Sequence, residues 1–345
     1  MKLTPEFIHK LPKTDLHVHL DGCLRIPTIV ELAAKQQVTL PSTNPKTLAK
    51  YVMTGKSCKN LAEYLTGFDI TLSVMQEEEA LYRIAYELAE DAAAENTWYM
   101  EVRYSPIFHT RKGMKLTAIV DAVLQGLADA EKAFDIKTGV IICGMRNINP
   151  ETSLMLAELA VAYKNRGVVA FDLAGQEESY PAKHHKEAFY LTRNNNINTT
   201  AHAGEAYGAE SIHQAIHYCG AHRIGHGTRL YEDGDLMNYC NDHRIPLEIC
   251  LLSNIQTGAA KTLERHPLKL YYDYGLRVCI NTDNRLISDT TLTNEYYLAA
   301  EHLGFDLGDI KNVITDGFKS AFLPKRERSQ MLAKVTKELD KFELE

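Results

Sequence analysis

No stretch of the sequence approaches the roughly 18 uninterrupted apolar residues of a membrane-spanning helix. The opening residues, MKLTPEFIHKLPKTDL, lack the long apolar core of a secretory signal. There is no CxxC pair either: the seven cysteines (Cys23, Cys58, Cys143, Cys219, Cys240, Cys250 and Cys279) are odd in number and scattered. That argues against a disulfide framework and for reduced thiols, so a cytoplasmic location is expected. An excess of basic residues is also missing. With a formal net charge of -7, no overall field draws phosphate backbones, and neither nucleic acid nor membrane is an expected partner. Internal repeats, low-complexity runs and Pro/Gly/Ser-rich linkers are absent, so residues 1–345 are read as one domain.

What is present is 45% hydrophobic and 24% charged residues, ample for a large core under a charged surface. Short β-branched segments alternate with longer segments of helical period. The predicted strands are 14–20, 98–105, 138–145, 168–174, 198–203, 223–227, 246–252 and 277–282. Helical segments fall at 77–95, 151–165, 208–219 and 232–243. In the first, Leu81, Ile84, Ala85, Leu88, Ala89 and Ala92 form one apolar stripe. Eight strand–helix units predict a (β/α)8 barrel rather than an open sheet. Residues 26–95 form a long helical insertion after the first strand, and a final amphipathic helix is expected after residue 328.

Four segments at predicted strand ends carry chemistry. His17 and His19 are two apart on a strand, so both imidazoles face the same side and can share a metal ion. His202 and Glu205 flank Gly204, which permits a tight turn. That puts a third imidazole and an acid–base carboxylate on one short loop. His226 lies in Gly225-His226-Gly227, and Asp283 in Asn281-Thr282-Asp283-Asn284. Taken singly, each has a bland reading: paired strand histidines, a helix cap, a satisfied buried histidine. Their joint placement at the ends of the first, fifth, sixth and eighth strands decides for a metal site, because barrel enzymes gather catalytic groups there.

In these motifs the chain resembles the adenosine deaminase family, within the wider amidohydrolase superfamily of metal-dependent barrels. The resemblance runs through PKTDLHVHLDG (12–22), YMEVRYSP (99–106), FDLAGQE (171–177), HAGE (202–205), GHG (225–227) and NTD (281–283), in family order. It implies one zinc ion held by His17, His19, His202 and Asp283. It makes Glu205 the proton donor to purine N1 and assigns His226, with Asp283, to the attacking water. It implies that the Gly175 N–H contacts ring N3 and Asp21 the ribose 5′-hydroxyl. Leu61, Tyr64, Leu65 and Phe68 would be the apolar gate of the pocket, although their spacing alone equally describes a buried helix face. Bound zinc lowers the pKa of water from about 15.7 to about 7, which suits hydrolysis at neutral pH. The implied activity is hydrolysis of adenosine, and of 2′-deoxyadenosine, to inosine or its 2′-deoxy form plus ammonia in purine salvage.

Two positions depart from the family pattern. Asn284 stands where a second Asp is expected to bond purine N7; an amide can donate there without being protonated. Leu251-Leu252 replaces an expected proline after Cys250, which leaves the loop after the seventh strand open. A different zinc-deaminase pattern, H-x-E with a downstream P-C-x-x-C, is half met by His185-Lys186-Glu187, but no CxxC exists and the triplet reads as a surface charge cluster. Adenine or modified-adenosine deaminases are the near alternatives. Asp21, where enzymes of the free base tend to carry Glu, favours a nucleoside. More distant are an amide or ester hydrolase of the superfamily and a silent metal-stabilised binding protein.

Overall fold

The computed structural model describes residues 3–343. Eight parallel strands follow one another in chain order around a nearly closed barrel flanked by helices. They are β1 (Lys13–His19), β2 (Thr97–Tyr104), β3 (Lys137–Met145), β4 (Val168–Ala174), β5 (Asn198–Ala203), β6 (Arg223–His226), β7 (Leu247–Ile249) and β8 (Val278–Ile280). Each begins within one residue of its predicted start. The errors are at the ends of β7 and β8. Leu251-Leu252, read as strand, instead opens the helix Leu251–Gln256; a short apolar run cannot be told from a buried helix by period alone. After Ile280 the chain leaves regular strand geometry and reaches Asp283 at φ 59°.

That irregular segment closes the barrel. The Asp283 N–H donates to the His17 carbonyl and the His19 N–H to the Asp283 carbonyl, each at 2.8 Å. The Asn281 side chain accepts the Leu16 N–H at 2.7 Å, replacing a ladder bond that β8 is too short to make.

The insertion after β1 is helical as expected, in five pieces from Ile26–Gln36 to Glu78–Ala94. The latter buries Leu81, Ile84, Ala85, Leu88, Ala89 and Ala92, the stripe read from the sequence. The last helix, Lys325–Leu339, starts three residues before position 328 and buries only Val335 and Leu339.

The barrel interior is not wholly aliphatic. Glu101, Arg103, Asp172, Arg223 and Glu248 point inward from β2, β4, β6 and β7, each no more than 1% exposed. Arg103 donates to Glu248 at 2.9 Å and to Asp172 at 3.2 Å. Arg223 donates to Glu248 at 2.6 Å and to Glu101 at 2.5 Å. Buried charge is tolerated only when paired and hydrogen-bonded, and here every carboxylate meets a guanidinium. This lattice is the floor beneath the site.

Outside it, Glu295 on the helix Leu292–Leu303 is fully buried, accepting from Thr290 Oγ1 at 2.7 Å and the Leu252 N–H at 3.2 Å. Burial pushes its carboxyl up to about 8 from an ordinary 4.5. A raised folded pKa means its contribution to stability is complete below the unfolded value and declines as pH climbs towards the folded one. Glu295→Gln, followed by thermal melts across that range, is expected to gain on the parent protein steadily as pH rises from about 4.5 to about 8. A gap that does not change with pH would contradict the assignment.

Candidate active site

All the chemistry read from the sequence gathers at the C-terminal mouth of the barrel. His17 is fully buried near the end of β1 and His19 is half-buried as its last residue. His202 comes from β5, His226 ends β6, and Asp283 follows β8. His226 and Asp283 both hold positive φ, 62° and 59°. Non-glycine residues in that region cost on the order of 1–3 kcal/mol and persist where the surroundings over-determine them.

The atoms of this cluster converge on a common point. Ligand atoms of His17, His202, His226 and Asp283 all lie within 4.8 Å of one another, and all four residues are buried. His19 Nε2 is 3.1 Å from His202 Nε2 and 3.4 Å from Asp283 Oδ1. His17 Nε2 makes no hydrogen bond among the described residues, and lies 3.4 Å from Asp283 Oδ1.

The reason these lone pairs point inward lies one layer deeper. His17 Nδ1 is held by Glu248 at 2.8 Å and His202 Nδ1 by Asp172 at 3.0 Å. A carboxylate on Nδ1 keeps the proton there and leaves Nε2 free to coordinate. Burial lowers the His17 pKa to about 4, and also puts His19 well below its ordinary value. Burial works to raise Asp283, but the imidazoles of His17, His19 and His226 outweigh it and hold the carboxyl well below its usual range. At His202 burial works to lower the pKa, but the Asp172 carboxylate outweighs it and raises it. Imidazoles gathered around one carboxylate are a donor set that fits zinc. An orphaned, buried His17 Nε2 is what such a site looks like from the protein side.

Beside the cluster lies a cavity of about 340 Å³. Leu61, Tyr64, Leu65 and Phe68 form one wall; His19, Asp21, Gly175, Glu205 and Asn284 form much of the rest. The gate residues do not share one helix. Leu61–Tyr64 is followed by a tighter turn, Leu65–Gly67, and a second helix, Phe68–Val74. The tightening seats Gly67 against the Val52 carbonyl, where a Cβ would come within 2.6 Å. Tyr64 is anchored by its hydroxyl to Ser288 at 2.7 Å. A wider depression of about 780 Å³ lies outside and shares Leu61, Gln176 and Glu205 with the inner cavity.

Glu205 is buried on this cavity, its Oε2 3.6 Å from His226 Nε2. Burial pushes its carboxyl above the ordinary value against the pull of His226. Burial likewise pushes Asp21 up to about 7. Asp21 Oδ1 and Asn284 Oδ1 have no hydrogen-bond partner among the described residues. Unsatisfied buried polar atoms are rare in folded proteins and call for a partner such as a ligand.

Gly22 explains how Asn284 fits. A Cβ at Gly22 would sit 1.9 Å from Asn284 Oδ1, so any side chain there displaces the amide. Gly22→Ala should therefore lower kcat/KM by about 100-fold, the scale of a misplaced contact group. Unchanged kinetics would show that the amide position is irrelevant.

Several functional contacts were missed in the sequence. Asp172 and Glu177 lie in FDLAGQE, where only Gly175 was singled out. Glu177 accepts the backbone N–H groups of Gly204, Glu205, Ala206 and Tyr207 at 2.6–3.0 Å, and so fixes the loop bearing Glu205. Arg146 donates to the His202 carbonyl at the other end of that loop. Ser253, in the helix after β7, donates to Asp283 Oδ2 at 2.6 Å. One reading needs correction: Lys186 and Glu187 are exposed, but His185 is buried, bonded to Ser153 Oγ at 2.8 Å and the Arg146 carbonyl at 3.3 Å. It precedes a helix, and its ring turns inward to satisfy those groups.

The sequence profile of the adenosine deaminase family matches residues 12–338. The chain belongs to the adenosine deaminase family. An adenosine deaminase of Mycobacterium ulcerans (strain Agy99) is 42% identical over 351 residues, covering 97% of this chain and 96% of the relative. A probable adenosine deaminase of Dictyostelium discoideum is 42% identical across 93% of this chain, which spans 42% of that relative's length. Among solved structures, N6-mAMP deaminase from Arabidopsis has a TM-score of 0.85 at 26% identity, covering 98% of this chain and 100% of that one. An amidohydrolase from Burkhoderia ambifaria with bound zinc has a TM-score of 0.90 at 24% identity, over 99% and 94% of the two chains. Adenosine deaminase family members are metal-dependent hydrolases, and the buried histidine–aspartate cluster is a group that could hold a metal ion.

Proposed function

We propose that the chain hydrolyses adenosine to inosine and ammonia, with one zinc ion held by His17, His19, His202 and Asp283. The observation that carries this reading is the placement of buried Glu205 and the histidine–aspartate cluster on one cavity of about 340 Å³. When bound there, zinc would supply the Lewis acidity that activates water near neutral pH. The chain's own groups do the rest. Glu205, whose carboxyl burial pushes above its ordinary value, delivers its proton to purine N1 as negative charge develops on the ring. Asp283 and His226 position the water, and its proton passes to Asp283. The Gly175 N–H meets N3, Asn284 donates to N7, and Asp21 bonds the ribose 5′-hydroxyl. Leu61, Tyr64, Leu65 and Phe68 exclude bulk water. Water adds at C6, and the exocyclic amine leaves with a proton as ammonia.

A 5′-phosphate would meet the Asp21 carboxyl, which supports a nucleoside over a nucleotide. No helix among the described residues is long and apolar enough to cross a membrane. The seven unpaired cysteines support a reducing compartment, hence the cytoplasm.

A substrate panel tests the reading: adenosine, 2′-deoxyadenosine, adenine, AMP and N6-methyl-AMP, followed by ultraviolet change. The two nucleosides should be consumed with the highest kcat/KM. Preference for adenine or a nucleotide would keep the chemistry and overturn the substrate. Asn284→Asp should retain measurable deaminase activity, because either side chain can reach N7; complete loss would contradict that role.

A further inference from the structure

We propose that Asn254 and His266 are positioning residues that hold the His226 ring with its proton on Nε2. In that state His226 faces the reacting site as a hydrogen-bond donor, not as a metal ligand or a base. The two sets of possible ligands described above differ in this residue. Proximity brings in His226, whereas the family resemblance brings in His19. A chain of three hydrogen bonds decides between them.

It starts from a group with no choice. A backbone N–H can only donate, and the Leu268 N–H lies 3.1 Å from His266 Nδ1. That N–H is the first of the helix Leu268–Asp273, where no partner within the helix is available. His266 Nδ1 therefore carries a lone pair, and the ring is neutral with its proton on Nε2. Burial agrees, lowering the His266 pKa to about 3. His266 Nε2 lies 3.1 Å from Asn254 Oδ1, so it donates there and sets the orientation of the amide. The amide nitrogen then faces His226 Nδ1 at 2.9 Å and donates to it. With Nδ1 accepting, the His226 ring must carry its proton on Nε2, the atom turned towards Glu205 at 3.6 Å. His266, Asn254 and His226 are all buried, so water does not compete for these bonds.

A proton-bearing Nε2 has no lone pair in the ring plane to give a metal. The donor set that remains is His17, His19, His202 and Asp283. The water proton then goes to Asp283, while the His226 Nε2–H donates to the attacking oxygen. The task of His226 rests on the deaminase reading; its tautomer does not.

The test labels the histidine ring nitrogens with the heavy nitrogen isotope and reads the zinc-loaded protein by NMR. His226 is assigned by the signals lost in His226→Gln. The expected result is an unprotonated Nδ1 and a proton-coupled Nε2. Asn254→Asp keeps the shape and still accepts from His266, but has no proton for His226 Nδ1. The proton should move to Nδ1, with kcat falling about 100-fold and KM changing by less than about threefold, since a wrong tautomer damages the reaction and not binding. A proton on Nδ1 in the parent protein, or an Nε2 shifted by metal, overturns the proposal. So does Asn254→Asp with the tautomer and kcat unchanged. If the tautomer stands and adenosine is untouched, the deaminase reading fails on its own.

Discussion

Replacing Glu205 by Gln should lower kcat by about 10³-fold, within the range that a positioned general acid contributes. The substitution is isosteric and removes only the transferable proton. The loop that carries residue 205 is held by the Glu177 carboxylate through four backbone N–H groups, none of which the substitution touches. Zinc content, melting temperature and KM should therefore stay close to those of the parent protein. The proton dependence has a defined sign. Burial raises the Glu205 pKa, so the acid form persists above the ordinary carboxylate range and the rate should fall on the alkaline side as that proton is lost. Titration of kcat against pH in the parent protein, beside metal analysis of Glu205→Gln, checks both statements. A variant with near-normal kcat would move the acid elsewhere.

The second large effect is on stability. Arg103 is fully buried and donates to both Glu248 and Asp172, the carboxylates that hold His17 and His202. Burial works to raise Asp172 and Glu248, but Arg103 is prominent among the charges that keep both well below the usual range. Arg103→Met fills similar space, takes from buried Asp172 its guanidinium partner and leaves Glu248 with Arg223 alone. Breaking a buried ion pair by removing one partner costs about 3–5 kcal/mol, and urea unfolding of Arg103→Met should show a loss of that order. Zinc should also bind more weakly, because the carboxylates beneath the ligands would be free to take up protons. A loss under about 1 kcal/mol would mean that the lattice beneath the site relaxes without Arg103.

The alternation of strand and helix made the barrel legible, because the core strands are short, mostly apolar runs and covering helices such as Glu78–Ala94 carry one apolar stripe. Glu78–Ala94 shows why: its buried residues recur at the helical period and its other face is polar. β7 shows the limit. Leu251-Leu252 continues an apolar run, and only the tertiary setting makes it the first turn of a helix that brings Ser253 to Asp283. The cluster at the barrel mouth was legible because its histidines sit in distinctive short motifs at strand ends. Its supports were not. Arg103 and Glu248 are single charged residues within apolar strands, and nothing local says that they meet across the barrel. The usable signal is there in part: Glu101, Arg103, Asp172, Arg223 and Glu248 all fall inside predicted strands and are costly to bury unless they pair. Glu177 and His266 were harder still, since their partners are backbone N–H groups that no sequence pattern marks.

The most direct test of the whole account strips the metal with a chelator, then restores zinc stepwise while adenosine is followed to inosine. The account predicts no turnover in the stripped protein and a rate that climbs to a plateau at one zinc per chain. Full activity without metal, or a zinc-loaded protein that leaves adenosine intact, would contradict it.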